Sequence, residues 1–90
     1  MLKTLNNVNV WLIKWFVSNS NTSEEEIKKN LMNNYFENGW IDSFKFIKFI
    51  ADIEDFFKVT FSNDEFQNRN FATIYGLTKI IKSKIKKRDE

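Results

Sequence analysis

Ninety residues without a Pro-, Gly- or Ser-rich divide make one domain, and 42% hydrophobic content with ten Phe and three Trp supplies apolar surface for one small core. The chain has neither cysteine nor histidine, which excludes disulfides, thiolate or imidazole metal sites, and Ser-His or Cys-His nucleophile systems, so no enzyme activity of its own is expected. The formal charge of +2 is uneven: Lys79, Lys82, Lys84, Lys86, Lys87 and Arg88 are six of fourteen basic residues, and residues 1–78 set eight basic against ten acidic side chains.

Along the chain, Leu5, Val8, Leu12 and Phe16, with Trp11 and Trp15 one turn apart, predict an amphipathic helix from about Lys3 to Ser18. Asn9 and Lys14 interrupt its apolar run and no small-residue cleavage site follows, so it reads as neither a signal peptide nor a membrane span, and a soluble, cytoplasmic protein is expected. Ser18-Asn19-Ser20-Asn21-Thr22 reads as a loop. Ser23 and Glu26 have capping-box spacing and predict a short helix from Glu24 to about Asn33. Tyr35 to Gly39 reads as a turn in which Asn38-Gly39 supplies a positive φ, and Asp42 is placed to cap the next helix.

That helix, Ser43 to about Lys58, has the strongest pattern. Phe46, Ile47, Phe49, Ile50, Ile53, Phe56 and Phe57 share half of the wheel and are expected in the core. Lys45, Lys48, Asp52, Glu54 and Asp55 take the other half, with Phe44 among them. Val59-Thr60-Phe61 reads as an extended connector, Ser62 to Asn70 as a polar loop, and Phe71 to Tyr75 as a short helical turn. Ile74, Leu77, Ile80 and Ile81 then predict a final helix that runs into the charged tail.

The segment Gly39-Trp40-Ile41-Asp42-Ser43-Phe44 is where the sequence turns specific. Asp42-Ser43-Phe44 resembles the Asp-Ser-Leu motif of acyl carrier proteins, with Phe in place of Leu, and Tyr35 to Ile41 resembles that family's aromatic, acidic and glycine lead-in. Ile47, Phe49, Ile53, Glu54 and Phe57, and further on Phe71-Ala72-Thr73-Ile74, fit other positions of the family, so the likeness covers roughly residues 3–82. The resemblance implies an all-α fold: a small four-helix bundle with a long loop between its first and second helices and a short third helix. A carrier domain over 1–82 and a basic C-terminal tail over 83–90 follow.

The same resemblance implies that Ser43 carries a 4′-phosphopantetheine arm from coenzyme A, and that acyl or aminoacyl cargo travels on it as a thioester. The residues suit that role. A serine hydroxyl at a helix start offers an acceptor near free amides and the positive end of the helix dipole, which favour a phosphodiester. Serine without a neighbouring base is a poor nucleophile, so a separate phosphopantetheinyl transferase is needed and the chain is its substrate. Asp42 matches the family residue that helps position Mg²⁺ in the transferase complex, and Gly39 lets the preceding loop turn sharply.

Loading and processing enzymes of the family dock on the second helix. Here Phe44 is expected to make the central contact, with Lys45, Lys48 and Glu54 around it. Phe46 or Ile50 against Phe71 and Ile74 are candidates for a groove that shelters an acyl chain. Typical carriers are strongly acidic along this helix, whereas Lys45 and Lys48 stand where acids are common, which points to dedicated partners in a specialised pathway. A monomer is expected, with no stable membrane insertion. The basic tail reads as a solvated helix end or as an attraction to a membrane surface or an acidic partner. Two other readings stay open: a small helical protein- or nucleic-acid-binding module, and a regulator that keeps the carrier fold unmodified. On the main helix Lys45, Lys48, Asp52, Glu54 and Asp55 sum to −1, the wrong sign for a nucleic-acid interface.

Overall fold

The computed structural model describes residues 8–88. Five α-helices and one 3-10 helix follow one another: α1 Val8–Asn19, α2 Glu24–Lys29, α3 Ser43–Phe57, α4 Asn63–Gln67, the 3-10 helix Arg69–Ala72, and α5 Ile74–Arg88. They form a small all-helical bundle in which the long helices α1, α3 and α5 surround one core. The expected start of the first helix, Lys3 to Asn7, lies outside the described residues.

The core follows from the helical spacing of bulky apolar residues. Leu12 and Phe16 of α1, Phe49, Ile53 and Phe57 of α3, and Leu77, Ile81 and Ile85 of α5 are all buried. Each such side chain contributes roughly 1.5–3 kcal/mol of hydrophobic stabilisation. Rings dominate the centre: Phe16 meets Tyr35 at 5.2 Å and Phe49 at 4.9 Å between centroids. α5 runs unbroken past Lys82 to Arg88, and Ile85 packs into the core, so part of the basic tail belongs to the bundle.

α2 is shorter than the spacing predicts. It ends at Lys29, and Asn30 caps it through its backbone N–H to the carbonyl of Ile27. The asparagines beyond it compete for the backbone: Asn30 Nδ2 donates to the Glu26 carbonyl at 2.7 Å, and Asn34 Oδ1 accepts from the amides of Phe36 and Glu37 at 2.8 and 3.1 Å. Only the serine half of the predicted capping box forms there, with Ser23 Oγ accepting from the Glu26 amide at 3.2 Å while the Glu26 carboxylate takes Asn30 Nδ2 at 2.7 Å.

A complete capping box forms where the sequence reads as loop. Ser62 Oγ accepts from the Glu65 amide at 3.3 Å, and the Glu65 carboxylate accepts from the Ser62 amide at 2.8 Å, which starts α4 inside the predicted polar stretch. The next turn is the 3-10 helix, started by Asn68 and followed by a bend at Thr73 rather than by continuous helix to Tyr75.

α3 also differs at the margins of its apolar stripe. Ile47 is 68% exposed and Phe56 56% exposed, so neither is a core residue, and Phe46 is half-buried. Phe56 leaves the core to stack on Trp11 at 5.3 Å. The helix stops at Lys58, whose φ of 58° is left-handed and cannot be propagated.

Candidate functional site

The loop that delivers the site is tied down at its beginning. Tyr35 is buried, its backbone N–H donates to the carbonyl of Ala72 at 3.0 Å, and its hydroxyl donates to the carbonyl of Phe71. Burial pushes the Tyr35 phenol well above its usual range, so it remains a donor. The chain then closes a turn, with Gly39 N–H to Phe36 O and Trp40 N–H to Tyr35 O both at 3.1 Å. Gly39 supplies a φ of +76°, as expected of Asn-Gly, with open space where a side chain would stand. Trp40 and Ile41 then turn inward and Asp42 and Ser43 outward.

Asp42 caps α3: Oδ1 accepts from the backbone N–H of Lys45 at 2.8 Å. Ser43 is the first residue of the helix and is exposed. Its hydroxyl therefore stands at the end of a 15-residue helix, next to amides that have no partner within the helix. Phe44 follows with 86% of its surface exposed, an uncommon position for a large aromatic side chain.

Of the residues expected to meet a partner, Phe44 projects into solvent, as does Ile47, which was expected in the core, whereas Lys45, Lys48 and Glu54 are engaged within the chain. Lys45 Nζ donates to the carbonyl of Asn19 at 2.6 Å, and Lys48 pairs with Asp52 at 2.9 Å. Glu54 accepts from the Phe61 amide at 3.2 Å and so holds the connector after α3. Asp52 also accepts the indole N–H of Trp15 at 2.8 Å. The bonds from Trp15 and then Lys48 hold its carboxyl below the usual range.

On one flank of α3 the side chains named for an acyl groove lie together. Phe46 meets Phe36 at 5.1 Å, Phe71 at 6.0 Å and Phe66 at 6.4 Å, a run of rings at the edge of the core that includes Ile50 and Ile74. On the other flank an open polar cleft of about 710 Å³ separates α2 and the α1–α2 loop from the Gly39 turn. Thr22, Glu26, Asn30, Asn38, Trp40 and Lys45 are among its walls. Sequence reasoning does not find this cleft, because its walls come from separate short segments and polar loop residues carry no periodic signal.

The residues fit a phosphopantetheine group in kind: an exposed hydroxyl at a helix start, a carboxylate beside it, and a turn with room around it. Among the described residues no group of three or more Asp and Glu could hold a metal ion, and no helix is long and apolar enough to cross a membrane. Compared with protein-family models, curated proteins and solved structures, the chain matches none.

Proposed function

We propose that this chain is a discrete acyl or aminoacyl carrier protein whose Ser43 accepts a 4′-phosphopantetheine arm from coenzyme A. The observation that carries the reading is the exposed Ser43 at the first position of α3, directly after an Asp42 cap and directly before a solvent-exposed Phe44. A separate transferase removes the Ser43 proton, and the oxygen bonds to phosphorus as the nucleotide portion of coenzyme A departs. The amides of the first turn and the helix dipole favour the phosphodiester so formed. The arm supplies a thiol, which the cysteine-free chain lacks, and so holds cargo as a thioester.

Partners dock on the ridge of Phe44 and Ile47. With Lys45, Lys48, Asp52 and Glu54 engaged inside the chain, that contact is chiefly apolar and suits dedicated enzymes with an apolar socket.

Labelling tests the site. With a fluorophore-bearing coenzyme A, Mg²⁺ and a broad-specificity phosphopantetheinyl transferase, the native chain takes label and Ser43→Ala takes none. Equal labelling of Ser43→Ala contradicts the assignment.

A further inference from the structure

The polar cleft beside α3 has a donor that the fold leaves unused. Trp40 keeps only 8% of its surface exposed, yet its indole N–H has no acceptor among the described residues. Every sealed side-chain nitrogen or oxygen of the described residues has a partner, so this N–H opens outward, and Trp40 forms part of the cleft wall. Asn38, Thr22 and Lys45 line the same cleft, and Lys45 Nζ donates to the carbonyl of Asn19 at 2.6 Å.

Building on the carrier reading of Ser43, we infer that the attached arm crosses the N-terminal turn of α3 and lies in this cleft, its amides held by Trp40 Nε1–H, Asn38 and Thr22. Residues two apart on a helix face different sides, so Ser43 and Lys45 look toward different flanks and the arm has two courses. On one flank the rings of Phe36, Phe46, Phe66 and Phe71 pack on one another at 5.0–6.4 Å. An amide chain laid there gives up water and gains no hydrogen bond, which is unfavourable. In the cleft the same amides find donors and acceptors, and the outward-facing indole N–H exchanges water for a carbonyl of the arm. Because Ser43 is the first residue of α3, no preceding turn of that helix blocks the crossing.

The test uses the full chain loaded by a transferase with coenzyme A and Mg²⁺, checked by intact mass, and compares NMR spectra of the apo and loaded forms. The expected result is that the Trp40 indole N–H resonance moves while those of Trp11 and Trp15 stay in place. Nuclear Overhauser contacts from the arm methyls should reach Trp40 and Thr22. A mass gain with an unmoved Trp40 resonance, or with contacts to Phe46 and Ile47 instead, overturns the cleft and leaves the carrier reading standing. Absence of a mass gain overturns both.

Discussion

An observed role and a proposed one fall on the Asp42 carboxylate, and single substitutions separate them. Its Oδ1 caps α3 through the Lys45 amide, while the resemblance assigns the carboxylate a part in placing Mg²⁺ in the transferase complex. Asp42→Ala should lose about 1 kcal/mol of stability with the cap, read as a lower urea midpoint. Asp42→Asn keeps a capping oxygen, so its midpoint should stay near that of the native chain while transferase labelling falls. Equal labelling of Asp42→Asn and the native chain would remove the carboxylate from the transfer step. Asp52 gives a pH test. Its folded-state pKa is lowered by Trp15 and Lys48, so its stabilising contribution is present above the unfolded carboxylate pKa of about 4 and is lost as pH falls through the lowered value. The stability gap between the native chain and Asp52→Asn should therefore be wide at neutral pH and close in acid. A gap that does not change with pH would mean that the Trp15 and Lys48 bonds do not favour the charged form.

At the scale of elements, legibility followed the strength of the physical signal. α3 is readable because a cap, a long apolar stripe and an adjacent Asn-Gly turn agree, and its start at Ser43 and the exposure of Phe44 are as expected. Ile47 and Phe56 differ from expectation because the wheel gives a face but not the breadth of what covers it: the neighbouring elements bury Phe49, Ile50, Ile53 and Phe57 along the centre of the stripe and leave its margins open. α4 was missed because a five-residue helix has too few apolar positions for a period, although Ser62 and Glu65 carried the same spacing that located α2. The close approach at Gly76 was not legible at all. A side-chain carbon there would lie 2.2 Å from the carbonyl oxygen of Asn70, so glycine lets the first turn of α5 rest on the 3-10 helix. Gly76→Ala should cost about 1–3 kcal/mol by forcing these elements apart, measurable by denaturant unfolding. A neutral result would show that this junction yields freely.

The whole molecule is a bundle whose buried core is separate from the proposed site at the exposed start of α3. Phe44 lies outside the core, so Phe44→Ala should change stability by no more than about 0.5 kcal/mol while turnover by a partner enzyme falls. Because Lys45, Lys48, Asp52 and Glu54 each hold a partner within the chain, partner affinity should vary little between low and physiological salt. A steep salt dependence would show that Lys45 or Lys48 leaves its internal partner to meet the enzyme. The polar cleft was beyond sequence reasoning because only the fold brings α2, the α1–α2 loop and Trp40 together. The labelling and partner-enzyme expectations depend on Ser43 being the attachment point. The most direct measurement is the intact mass of the chain after incubation with unlabelled coenzyme A, Mg²⁺ and a phosphopantetheinyl transferase, followed by fragmentation to locate the change. A gain of one phosphopantetheinyl group on the peptide containing Ser43 is the predicted result. No gain with several competent transferases, or a gain on another serine, would contradict it.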